Sequence, residues 1–268
     1  MIALPKQFLW KELLPVVELV GQGTKNFLQG QTTSNILSLK TPSFFHTCLL
    51  DASGRMISLL EIKLEEESCK ILVLSGDHHK LINHFQKIIF PADKVAIESV
   101  DKVIRYELIH NTEKKYSLNS FWISLDSNIP DNLLDIPVAT KNQIEYWRLI
   151  QGRPPSLEEI NSATNPYELG LTDLISIDKG CYLGQEILSK ISLRGNVKQE
   201  LRFFVAESSV SPGQLLKKEL ENKIDRKIAG VITSSLEDVE NKVSYGLAMV
   251  RSSALNFKNL FIEDSLDS

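Results

Sequence analysis

The chain has 268 residues, 43% of them apolar and 24% charged, and 30 basic against 34 acidic side chains give a formal charge of −4. That balance describes a globular chain with ample material for a core and room for one to three domains. It excludes a general electrostatic pull toward nucleic acid, and no run reaches the ~18 apolar residues of a membrane span.

Residues 1–21 do not read as a secretory signal, because Lys11, Glu12 and Glu18 interrupt the apolar run. A cytoplasmic or organelle-interior chain is expected. Residues 13–20 form a strand-like apolar run, followed by a turn at Gly21 and Gly23 and a short helix carrying Phe27 and Leu28, with Thr24 as its cap. Residues 47–53 lead to a turn at Ser53-Gly54. Beyond it Met56, Ser58, Leu60, Ile62 and Leu64 alternate with Glu61, Lys63 and Glu65, the period of a half-buried strand. The acidic turn 65–67 and the run 70–74 complete a hairpin.

The period then changes. Leu81, Ile82, Phe85, Ile88 and Ile89 share one helical face, with Asp77 as N-cap and Pro91 as stop. Residues 94–100, 102–109 and 121–125 are extended, 126–142 connect, and 143–151 form a helix ending near Gly152 and Pro154-Pro155. The first half is therefore a mixed strand–strand–helix–strand series with antiparallel pairing. After a turn-rich stretch at 153–180, short extended runs at 201–206, 228–235, 243–250 and 260–265 predict a small all-β terminal domain. Its boundary is expected near 195–200, dividing the chain into 1–195 and 196–268.

Cys48, Cys69 and Cys181 match no zinc or ferredoxin-type spacing, and none of the five histidines sits in an HExxH motif, so no stably bound metal is expected. An odd, sparse set of cysteines suits a reducing compartment. Cys48 reads as a small buried hydrophobe, and Cys69, in an exposed-looking hairpin, as structural or incidental. The unusual segment is KGCYLGQEILSK, 179–190. Gly180 and Gly184 bracket Cys181 and Tyr182, a composition that holds a thiol at a tight bend. QEILSK opens a helix whose positive end favours a thiolate; Lys179 would add to that effect and Glu186 oppose it.

KGCYLGQE closely resembles the Lys-Gly-Cys-Tyr-x-Gly-Gln-Glu signature of the YgfZ-type proteins, with Leu183 where a small hydroxyl residue is usual and Lys190 as the closing basic residue. Residues 21–36, 49–60, 145–154 and 165–171, together with Arg194-Gly195, resemble further blocks of the same family. The resemblance implies an α+β fold shared with the glycine-cleavage aminomethyltransferase, the T-protein. It implies three domains around a central opening, two of them intertwined, mixed and ferredoxin-like, and a C-terminal β-barrel. It further implies binding of tetrahydrofolate or a related folate, support of iron–sulfur enzymes or assembly proteins, and an effect on tRNA modification through such enzymes.

Within that resemblance Cys181 is the expected nucleophile, redox thiol or transient ligand, with Glu186 as a proton-handling partner or an ion-pair partner of Lys179. Lys179, Tyr182, Gln185 and Arg148 are candidate folate contacts. Each also has a structural reading: solvent-facing amine, core ring, loop-carbonyl donor and internal salt bridge. Aminomethyl transfer is disfavoured, because Ser58 and Leu59 stand where that enzyme is expected to carry acidic residues. A folate-sensing module or a protein-interaction scaffold is the alternative, and a monomer without direct nucleic-acid contact is expected.

Overall fold

The computed structural model describes residues 2–110, 119–154, 158–195, 197–220 and 223–263. The elements run β1 (Gln7–Val20), α1 (Thr24–Gln31), β2 (Ser43–Leu50), β3 (Met56–Leu64), β4 (Ser68–Gly76), α2 (His78–Ile88), β5 (Ala96–His110) and β6 (Ser120–Ile123). They continue with α3 (Lys141–Ile150), α4 (Gln185–Arg194), β7 (Gln199–Ala206), β8 (Leu215–Leu220), β9 (Lys223–Asp238), β10 (Val243–Arg251) and β11 (Phe261–Ile262). All named ladders are antiparallel, and the class is α+β.

The first sheet has the order β2-β3-β4-β1-β5-β6. It curls strongly, since Phe44 on one edge strand meets Trp122 on the other with ring centroids 5.7 Å apart. Its convex side is the main core: Val17, Leu19, Leu60, Ile62 and Ile71 pack under Phe27 and Leu28 of α1 and Leu81 and Phe85 of α2. Asp77 caps α2 by accepting from the His79 amide at 2.9 Å. The cap of α1 is Gly23, with Thr24 as the first helical residue, and Thr24 Oγ1 donates back to Gly21 O at 2.7 Å.

The second sheet has the order β11-β8-β9-β10-β7. No ladder among the described residues joins β11 to β7. Strand β8, of sequence LLKKEL, was not expected; its clustered leucines and charges carry no period of two. Two predicted extended segments, 94–100 and 102–109, are one 15-residue strand, β5, paired along the whole of β1. Strand β3 is buried on both faces, because its second face lies inside the curl, so the half-buried reading fails at Glu61. Cys69 is buried too, since β4 is an interior strand between β3 and β1. Pro155 and residues 264–265 of the predicted last strand lie outside the described residues. None of the described helices is long and apolar enough to cross a membrane.

Candidate functional site

Two features carry chemistry, and they occupy different places. The first is the cysteine loop. Three separated sequence blocks meet there: the end of α1 with residues 32–34, the β2–β3 turn, and residues 174–187. Lys179 Nζ is buried and donates to the carbonyls of Thr32 at 2.6 Å and Ser34 at 2.5 Å. Burial pushes its amine down to about 8. Gln185 Nε2 donates to the carbonyls of Ile177 at 2.9 Å and Lys179 at 3.1 Å, and the Leu183 amide reaches Gly30 O at 3.0 Å.

Gly184 has φ +82°, and a Cβ there would stand 2.8 Å from Asp51 O and 2.9 Å from Gly54 Cα. Only glycine permits this turn-on-turn approach. The Tyr182 ring is buried against Cys48, Leu59 and Leu188, with Lys179 Nζ 4.8 Å from its centroid, and its hydroxyl has no hydrogen-bond partner among the described residues. Cys181 stands three residues before Gly184, the N-cap of α4, and is exposed. Glu186 is exposed and pairs with Lys190 at 2.6 Å, four residues along the helix, and not with Lys179. Lys179 and Gln185 thus hold the loop's backbone and Tyr182 roots it, whereas Cys181 and Glu186 face solvent.

The second feature is a cavity of about 380 Å³ on the concave side of the first sheet. Trp10, Lys11 and Glu12 of β1, Leu59 of β3, Leu74 and Ser75 of β4 and Arg105 and Glu107 of β5 form its floor; α3 and the segment at Arg153-Pro154 close it. The floor is built from charges taken out of water. Arg105 donates to Glu61 from Nε (2.9 Å) and Nη2 (2.8 Å), and to Glu107 from Nη1 (2.8 Å). Glu107 also accepts from Arg153 Nη2 at 2.6 Å and Nη1 at 3.0 Å. The Arg153 guanidinium lies 4.4 Å from the Trp147 ring centroid and 5.4 Å from that of Trp10.

Glu61 further accepts from Trp122 Nε1 at 2.5 Å and Ser120 Oγ at 2.8 Å, with His46 Nε2 2.8 Å away. Burial opposes its ionisation, but His46 and Arg105 outweigh that and hold it well below the usual carboxylate range. Arg148 lines the cavity, pairs with Glu145 and donates to Arg153 O at 2.9 Å.

Of the sequence-selected residues Arg148 alone lines this cavity; Lys179, Cys181, Tyr182, Gln185 and Glu186 do not. Sequence reasoning missed Trp10, Glu12, Glu61, Arg105, Glu107 and Arg153. Their one advance signal is opposite charges two residues apart, Arg105 and Glu107, inside an apolar strand, which one sheet face must bury together. Among the described residues no cluster of three or more His, Cys, Asp or Glu side chains could hold a metal ion.

Sequence comparison places the chain beside proteins named tRNA-modifying protein YgfZ. That of Photorhabdus laumondii is 26% identical, over 74% of this chain and 70% of its own length, and that of Shigella sonnei is 23% identical, over 72% and 70%. The chain is a relative of the YgfZ-type proteins. A chloroplast protein of Arabidopsis thaliana, carrying the provisional name of a transferase, is 23% identical over 91% of this chain, which spans only 65% of that relative's length. No family model matches. The aminomethyltransferase T of the glycine cleavage system from Bartonella henselae superposes with a TM-score of 0.72 at 13% identity, over 97% of this chain and 82% of that one, and so the fold is that of the T-protein.

Proposed function

We propose that this YgfZ-type chain binds a reduced folate in the cavity on its first sheet and acts as an accessory factor for iron–sulfur proteins through the solvent-facing thiol of Cys181. Part of the effect would reach tRNA through iron–sulfur enzymes that modify it, in keeping with the name its bacterial relatives carry. The observation that carries the reading is the pairing of a preformed, charge-floored cavity with an exposed cysteine on a rigidly tied loop elsewhere.

The cavity fits the group in volume and chemistry. Its ~380 Å³ falls within the range of ordinary ligand pockets. The Trp10 ring offers an apolar face, Glu12, Ser75 and Arg148 offer polar atoms, and Lys141 is an exposed member of the lining that suits an acidic tail. The carboxylates already on Arg105, Arg148 and Arg153 make these guanidiniums walls more than open anion sites. The placement of Cys181 outside the lining favours a thiol that acts on a partner protein, as nucleophile, redox group or transient ligand. The β-barrel form of the terminal domain and its division from 1–195 at residue 196 stay part of the proposal.

Anaerobic calorimetry with reduced folates tests the reading, using wild type and Cys181→Ala in parallel. Saturable binding by both proteins is expected, with iron–sulfur client maturation lost in the variant alone. Absence of binding by folded wild type would remove folate and favour a protein-interaction scaffold.

A further inference from the structure

The cavity contains three carboxyl groups, and two are already spent: Glu107 on Arg105 and Arg153, Glu145 on Arg148. Glu12 is different. No ion pair within 4 Å is found for it among the described residues, although Arg105 is its in-register partner across the β1–β5 ladder. Arg105 is pulled away by Glu61 and Glu107, which take its Nε, Nη2 and Nη1 donors. Its side-chain hydrogen bond with the Trp10 indole takes one acceptor position, and Glu12 is thus a carboxyl in the cavity lining with further acceptor positions left for a ligand.

From this geometry we propose that Glu12 recognises the bound ligand, and that the ligand class is an aromatic heterocycle presenting two adjacent N–H donors on one edge. A carboxylate's two oxygens match such a pair of parallel donors, giving a bidentate charge-assisted contact. The 2-amino-4-oxo ring edge common to folates and guanine nucleotides has this pattern. The inference rests on the folate reading for its ligand and adds the residue that reads it.

The groups facing Glu12 are Trp10 on its own strand, Arg105 and Glu107 on β5, Glu145, Arg148 and Lys141 on α3, and Arg153 beyond it; β4 contributes Leu74 and Ser75, which do not titrate, and the Lys11 ammonium lies over Tyr106 on the other face of the sheet. Burial raises the Glu12 carboxyl to about 6, against the pull of Arg105 and with the push of Glu107. A ligand that accepts no proton and binds the carboxylate must therefore expel the Glu12 proton near or below that pH. At the midpoint, half a proton leaves per ligand bound, and affinity falls about fourfold between pH 7.5 and 5.5.

The test is calorimetry of wild type and Glu12→Gln with 5-formyltetrahydrofolate and, separately, guanosine, which carries no phosphate to titrate near pH 6, at pH 5.5, 6 and 7.5 in two buffers of different ionisation enthalpy. The expected result is wild-type folate binding with proton release at pH 6, and at least tenfold weaker, proton-silent binding by Glu12→Gln. Folate binding with unchanged affinity in Glu12→Gln would overturn the role of Glu12 and leave the folate reading standing. Guanosine bound by wild type and at least tenfold more weakly by Glu12→Gln, with folate not bound, would support Glu12 and overturn the folate reading. Binding of neither probe to wild type would overturn both. If Glu12→Gln fails to fold, Glu12→Asp, which keeps the charge and shortens the reach, decides by the same loss of folate affinity.

Discussion

Arg105 on β5 grips Glu61 on β3 with two charge-assisted hydrogen bonds, at 2.9 and 2.8 Å, across the two strands that separate them in the sheet. The contact exists because the sheet curls, and it seals the floor of the cavity. Removing one partner strands the other charge in the interior. Arg105→Met should destabilise the protein by about 3–5 kcal/mol in urea unfolding, far more than a surface arginine would, and Arg105→Lys should restore only part of the loss because an ammonium cannot make the fork.

A second buried carboxyl predicts the pH dependence of stability. Glu159 is fully buried, and neither oxygen has a hydrogen-bond partner among the described residues. Burial pushes it up to about 7, against the weaker opposing pull of the Arg148 charge. Its folded value lies above the unfolded one, so its favourable contribution is fully present below about pH 4.5 and is lost as pH rises through about 7. Glu159→Gln should therefore stabilise the protein at pH 8 by roughly 2 kcal/mol relative to its effect at pH 4.5. Thermal melts across that range measure it.

The three thiols should separate by reactivity. Cys181 is exposed, whereas burial pushes Cys48 and Cys69 up to about 12. A thiol reagent should label one cysteine in the native protein and three after unfolding, and Cys181→Ala should change stability by less than ~0.5 kcal/mol. Fast native labelling of two cysteines would contradict the burial of Cys48 or of Cys69.

The turn-on-turn contact gives the loop its sharpest structural test. Gly184→Ala places a methyl against Asp51 O at a positive φ, and should cost about 1–3 kcal/mol while loosening the loop. Increased hydrogen exchange at the Leu183 amide, now bonded to Gly30 O, reports the loosening.

Much of the fold was legible because period and punctuation agree: the apolar phase of β3, the Asp77 cap, the helical face of Leu81 and Phe85, and the turn glycines all speak locally. The cysteine loop was legible for the same reason, as one contiguous segment. The cavity was not. Its floor joins Trp10 and Glu12 to Arg105, Glu107 and Arg153, which meet only through the β1–β5 register and the curl of the sheet. Glu61 sits on the polar phase of its strand and reads as solvent-facing until the concave side is seen to be covered. Lys179 and Gln185 were recognised as special, yet their atoms are occupied by loop carbonyls, a distinction that needs coordinates.

The most direct test of the central claim is a crystal structure of the chain grown anaerobically with 5-formyltetrahydrofolate. The ring is expected in the cavity between Trp10, Glu12, Ser75 and Arg148, with Cys181 untouched on its separate loop. A ring seated against Cys181, or density nowhere in the cavity at saturating ligand, would contradict it.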